Sequence, residues 1–244
     1  MKNQNLLSVI KSLLSLHQWA PIITALSLLL LSPISGATEI AERNLRYSVI
    51  YGSHNAGELE IVLEHDGDLI KTSAISHLSA IAKMFLSGQT VETWFKITDG
   101  TARVEKGHIL NHKDNGITSS FDIDRSAGKV HFKTKDIIAI EKNDVFESTS
   151  FPVVLMTSDF ESLGGTTVRE INPKKVRYYT YHDPVEEPLE LQGKSYETWK
   201  ITRFKQGNPD RTVTFWLDKK NRSPLQIISS KKGTDTVMTL LNPH

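Results

Sequence analysis

The chain contains no cysteine, and this absence closes several routes at once. No disulfide can brace the fold, no thiolate can act as a nucleophile, and no cysteine is present to carry the lipid of a bacterial lipoprotein. Other catalytic signatures are absent as well. There is no Gly-x-Ser-x-Gly elbow to present a serine and no glycine-rich phosphate loop. Charge of one sign is lacking, with 29 Lys and Arg against 28 Asp and Glu. That balance argues against a nucleic-acid binder, which concentrates basic residues, and no basic amphipathic helix marks a membrane-surface binder. Low-complexity tracts and strict repeats are also missing.

Long hydrophobic runs are scarce too. The longest apolar-rich stretch, Ile22 to Leu31, falls well short of the roughly 20 residues that span a bilayer. It follows an acid-free start carrying Lys2 and Lys11, and Ser32-Pro33-Ile34-Ser35-Gly36-Ala37 places small residues where signal peptidase cuts. Residues 1–37 therefore read as a secretory signal cleaved after Ala37, with a retained signal anchor as the alternative. The remaining 207 of 244 residues carry 27 basic and 28 acidic side chains. They suffice for one domain, 38–244, whose core must hold it without covalent help. The expected location is the periplasm.

What the mature chain does contain is period-two alternation punctuated by turn signals. Leu59, Ile61 and Leu63 alternate with Glu58, Glu60 and Glu64 ahead of Asp66-Gly67. Pairing His65 with Asp68 across that turn would set Leu63 opposite Ile70 and Ile61 opposite Thr72. Asp99-Gly100 suggests Thr98 opposite Thr101, hence Phe95 opposite Val104 and Trp94 opposite Glu105. Asn115-Gly116 suggests Leu110 opposite Phe121. Further strands follow Asn172-Pro173, Gly193, Gly207 and Gly233, so the chain reads as an antiparallel meander.

Two segments interrupt the alternation. Leu78 to Leu86 has apolar residues at helical spacing and reads as a short helix or a strand with a disrupted turn. Residues 136–164 read as a helical insert, with Pro152 suited to a first helical turn and Gly164-Gly165 closing it. About eleven antiparallel strands cannot stay flat, because strand twist makes a large sheet curl. The expected fold is mainly β: a single curved antiparallel sheet forming an unclosed barrel, with the helical insert on its concave face.

Tyr47, Tyr51-Gly52 and Gly57 near the start resemble the opening of the bacterial exported proteins of domain-of-unknown-function 3108. Gly193, Tyr196 and Trp199, then Phe215-Trp216-Leu217-Asp218 and Ser223-Pro224-Leu225, resemble that family's ending. The resemblance spans residues 43–241 and extends, more distantly, to periplasmic lipoprotein carriers and receptors of the LolA/LolB type. It implies an unclosed barrel able to hold an acyl chain. It transfers no catalytic residue and no cofactor.

His108 and His112 lie four apart on an expected strand, about 13 Å from end to end, too far for one ion. Asp183, Glu186, Glu187 and Glu190, broken by Pro184 and Pro188, read as a solvated loop. Apolar side chains remain: Trp94, Phe121, Phe151, Val154, Leu155, Met156, Trp199 and Phe215 are the candidate lining of a cavity, or else plain core. The favoured function is a non-catalytic periplasmic carrier or binding protein for a lipid, lipoprotein or other hydrophobic ligand, with no cofactor and no nucleic-acid partner. The alternative is a structural or interaction component of the cell envelope, with an envelope protein as partner. N-terminal sequencing of exported protein is expected to read from Thr38, whereas full-length chain sedimenting with the inner membrane would establish a signal anchor.

Overall fold

The computed structural model describes residues 42–84, 87–98, 101–133, 135–140, 145–147, 155–156 and 163–243. In its first half the chain forms β1 (Arg43–Tyr51), β2 (His54–Asp66), β3 (Leu69–Leu78), the short helix α1 (Ala80–Lys83) and β4 (Gln89–Thr98). β5 (Thr101–Asn111), β6 (Gly116–Asp124), β7 (Lys129–Phe132), β8 (Lys135–Ala139) and β9 (Val145–Glu147) follow. The second half comprises β10 (Thr167–Asn172), β11 (Lys175–Tyr181), β12 (Val185–Glu186), β13 (Leu189–Leu191) and β14 (Lys194–Tyr196). It ends with β15 (Thr198–Lys205), β16 (Asn208–Asp218), β17 (Pro224–Lys231) and β18 (Thr234–Leu240). Among the described residues no helix is long and apolar enough to cross a membrane.

All strands but β13 and β14, which pair with each other, join one sheet. Its order is β8-β7-β6-β5-β4-β3-β2-β1-β18-β17-β16-β15-β11-β10-β9, with β12 branching from β15. The sheet is not closed. The first strand pairs with the last, Tyr47 opposite Leu240 and Val49 opposite Met238, so the two halves of the chain spread outward from a shared seam. β9 pairs with β10 in parallel, which demands a crossover connection in place of a hairpin.

One face of this sheet carries the core. Leu45 and Tyr47, Ile61 and Leu63, Phe95, Val104, Phe121, Val130, Ile201, Phe215 and Ile227 belong to a single buried cluster drawn from both halves. The ends of the sheet approach each other: the Ser119 hydroxyl on β6 donates to the Pro173 carbonyl in the β10–β11 turn, and β5 meets β9. The curl follows from strand twist accumulated over many strands.

Bulges set which side chains enter the core. Opposite Trp94 and Phe95, β5 takes an extra residue, so Phe95 faces Val104 while Trp94 faces Lys106 and not the expected Glu105. Arg125 holds the bulge, donating to the Val104 carbonyl and from Nε to Glu105 at 2.9 Å. Beyond it Gly107 faces Phe121. A Cβ there would lie 2.6 Å from the Phe121 ring and 2.9 Å from the Glu92 carbonyl, so only glycine admits the aromatic ring. On β2, Gly57 adopts φ +122°, and a Cβ would meet the His77 carbonyl oxygen at 2.1 Å.

Other expected registers shift. Asp66 pairs with Leu69, which leaves Gly67-Asp68 as the turn; Leu63 therefore meets Thr72, and Ile61 meets Ala74. The chain beyond β5 turns through four residues, so Leu110 meets Ile117 and not Phe121. Thr98 does pair with Thr101, and Phe95 with Val104, although Asp99 and Gly100 themselves lie outside the described residues. Within Leu78 to Leu86, Ala80–Lys83 form α1, whose start is capped by the Ser79 hydroxyl accepting from the Ala82 N–H at 3.2 Å, while Phe85 and Leu86 lie outside the described residues.

The expected helical insert over 136–164 is in part strand. Residues 135–139 extend the sheet as β8 and 145–147 form β9, because edge strands offer unpaired backbone groups to any segment that can reach them. Leu155 and Met156 are helical and buried in the same cluster as the inner face of the sheet. Phe151 and Val154 lie outside the described residues.

Tyr47, fully buried at the seam, reaches across β18 and donates to the Pro224 carbonyl at 2.9 Å. Tyr47→Phe leaves that acceptor without its partner and is expected to lower stability by about 1–3 kcal/mol in urea titrations. Burial raises the phenol of Tyr47 far above its ordinary value, and it raises that of Tyr181 as well. Below about pH 10 these phenols are protonated in both folded and unfolded chains. Above it the unfolded chain ionises while the folded one keeps its protons, so stability should fall, by up to about 1.4 kcal/mol per pH unit for each tyrosine. Tyr47→Phe should show a shallower fall.

Candidate functional site

The inner face is not filled everywhere. Near the seam lies an open cleft of about 280 Å³. Its apolar wall consists of Leu59 and Ile61 from β2, Val213 and Phe215 from β16, Ile227 from β17 and Met238 from β18. Strand alternation places these side chains together, because Phe215 faces Ile227, and Ile227 faces Met238, in adjacent ladders. The two sides of the cleft come from opposite halves of the chain. The β1–β18 ladder brings them together.

Beside this apolar surface the lining is cationic. Tyr179 and Arg177 of β11, Arg203 of β15 and Arg211 of β16 form it, and among the described residues no carboxylate does. Arg203 is buried and forms an ion pair with the buried Glu170. Its Nη1 donates to the Tyr181 hydroxyl at 2.9 Å, and that hydroxyl donates to Glu170 Oε1 at 2.9 Å. Burial, with the neighbouring Tyr179 second, holds the Tyr181 phenol well above its usual range; the hydroxyl therefore stays protonated and able to donate. The Arg203 guanidinium also sits over the Tyr179 ring at 4.4 Å and near the Phe215 ring at 5.4 Å. The ion pair thus positions two of the rings that shape the cleft.

Of the expected lining residues, Phe215 lies in the cleft. Phe121 belongs to the packed core against Phe132, with ring centroids 6.3 Å apart. Leu155 and Met156 are also core. Trp199 is half-buried against the core, with Lys219 5.0 Å from its ring. Trp94 departs from the expected lining, because alternation turns it to the face opposite Phe95. Its indole N–H donates to Asp66 at 2.6 Å, and Lys71 and Lys106 lie over its ring. Phe151 and Val154 lie outside the described residues.

Three of the polar candidates, Glu186, Glu187 and His108, occupy ordinary ion pairs. Glu187 accepts from Lys200 at 2.8 Å and from the Trp216 indole at 3.0 Å; Lys200, then Trp216, draws its carboxyl below the usual range. Glu186 pairs with Lys219 at 2.5 Å. His108 pairs with Glu92 at 2.6 Å, whereas His112 contacts Thr90. Among the described residues no group of three His, Asp or Glu could hold a metal ion.

The arginines are the feature that sequence reasoning missed. A criterion of apolar residues at alternate positions passes over a charged residue in phase with them. Yet Arg211-x-Val213-x-Phe215, Ile201-x-Arg203 and Arg177-x-Tyr179-x-Tyr181 each carry an arginine on the apolar face of a strand. That phase was the available signal.

Residues 46–240 match the family described as "Protein of unknown function (DUF3108)". The chain belongs to this family. Its fold is similar to that of a β-barrel-like protein of domain of unknown function DUF1849 from Brucella abortus, with a TM-score of 0.51 at 9% sequence identity. That similarity covers 83% of this chain and 97% of the other, and it shows the fold alone. A putative outer membrane lipoprotein-sorting protein domain from Vibrio parahaemolyticus matches over 83% of this chain and 84% of its own. Its identity is 11% and its TM-score 0.29. No curated protein matches the chain.

Removing one partner of the buried pair strands the other charge. Arg203→Met is expected to cost about 3–5 kcal/mol in denaturant midpoint experiments. Pairing it with Glu170→Leu should recover most of that loss. A loss in the double variant equal to the sum of the losses in Arg203→Met and Glu170→Leu alone would show that the charges are not coupled.

Proposed function

We propose that the protein is a non-catalytic binding protein or carrier for a hydrophobic ligand, acting in the periplasm after removal of its leader. The observation that carries this reading is the open cleft with its apolar wall of Leu59, Ile61, Val213, Phe215, Ile227 and Met238. Apolar surface left accessible in a concavity is costly in water, and covering it with an apolar ligand recovers that free energy. The fold places the cleft on continuous strands, not on loops, so its shape is largely formed before a ligand arrives. This lowers the ordering cost of binding.

A neutral fluorescent probe, N-phenyl-1-naphthylamine, tests the reading. The purified protein is expected to enhance its fluorescence saturably. Val213→Trp should fill the cleft and abolish the enhancement while leaving the melting temperature within a few degrees of wild type. Absence of binding by the wild type, or unchanged binding in a folded Val213→Trp variant, would overturn the assignment.

A further inference from the structure

The charge along the cleft is uneven, and this unevenness identifies the class of ligand. Three arginines face the cleft, and among the described residues only Arg203 has a carboxylate partner, Glu170. Arg177 and Arg211 are half-buried, and among the described residues neither side chain makes an ion pair or hydrogen bond. Glu170 lies opposite Arg177 across the β10–β11 ladder but is already engaged by Arg203 and the Tyr181 hydroxyl. Arg211 faces Lys231 across the β16–β17 ladder, so cations outnumber carboxylates around this part of the cleft. An anion placed between Arg177 and Arg211 would redress this imbalance.

Their position along the strands is informative as well. The Gln206 N–H donates to the Tyr178 carbonyl, beside Arg177, at 2.9 Å. Lys205 pairs with Asn208 at the start of β16, three residues before Arg211. Both free arginines therefore lie towards the Gln206-Gly207 turn. From Arg211 the same strand face continues through Val213, opposite Ser229, to Phe215, opposite Ile227. The cleft thus grades from cationic at the turn to apolar at its depth.

We propose that the cleft takes a single-chain amphiphile with an anionic head, carboxylate or phosphate. The head lies between Arg177 and Arg211, and the chain runs along Val213 towards Phe215, Ile227 and Met238. This inference rests on the binding function proposed above and specifies its ligand. Arginine suits the head because its planar fork pairs with two oxygens of a carboxylate or phosphate at once. A single chain suits the volume, which at about 280 Å³ lies just under the range of roughly 300–1,000 Å³ usual for small-molecule sites.

Titration calorimetry with dodecanoate, dodecyl phosphate and dodecanol, all below their micellar concentrations, tests the proposal. One or both anionic ligands should bind about tenfold or more tighter than dodecanol, and whichever binds tighter identifies the head. Arg177→Gln combined with Arg211→Gln should lower anionic affinity by a similar factor and leave dodecanol binding unchanged. Lysine at both positions should restore part of the loss. The melting temperature of the glutamine variant should be no lower than that of wild type, since it removes charges without partners. Dodecanol binding as tightly as both anions, with no effect of the double variant, would overturn the anionic head and leave the apolar cleft standing. Failure of all three ligands to bind would overturn the binding function and this inference together.

Discussion

The pairing of the first strand with the last is the contact on which the remaining structure depends. Tyr47 opposite Leu240 and Val49 opposite Met238 join two fans of strands, β1 to β8 and β9 to β18, which among the described residues share no other backbone ladder. Closing so long a loop of chain is entropically expensive, and the cost is met by burial at the seam. Tyr47 is wholly inaccessible, and its hydroxyl reaches past β18 to the Pro224 carbonyl. Leu59 and Ile61 lie on one side of this seam, and Phe215, Ile227 and Met238 on the other. The cleft is a consequence of the seam: separate fans would each retain half a wall.

A second constraint is electrostatic. Burying Arg203 and Glu170 requires each to compensate the other, and Tyr181 completes the arrangement by donating to one and accepting from the other. The pair ties β10 and β15, which are separated by β11, and it holds the guanidinium against the Tyr179 and Phe215 rings. The outer face follows a different logic. Glu92 with Lys71 and His108, and Glu187 with Lys200, are accessible pairs whose contribution is solubility and strand register more than stability.

Much of this architecture is legible in the sequence because strand alternation is a local signal. Leu59, Ile61 and Leu63 face inward as their spacing implies, even though their partners on β3 differ from those expected. The turn moves from Asp66-Gly67 to Gly67-Asp68, which slides the register by two and so preserves the face of every side chain. The bulges are another matter. The extra residue on β5 depends on Arg125 and on the fit of Phe121 over Gly107, contacts from other strands that no local pattern announces. Strand edges likewise recruited residues 135–139 and 145–147, which by themselves alternate too weakly to declare a strand. The apolar wall of the cleft is partly readable through Phe215. Its cationic wall requires seeing that an arginine shares the phase of its apolar neighbours.

The central claim is that the cleft between the two halves of the sheet carries a hydrophobic ligand. Native mass spectrometry of the protein isolated from expressing cells under gentle conditions, followed by solvent extraction and lipid identification, tests it most directly. The account predicts a complex heavier than the bare chain by the mass of one small amphiphile, lost on collisional activation and recovered in the extract. A spectrum showing only the bare chain, with an extract free of lipid and no adduct after incubation with envelope lipids, would contradict it.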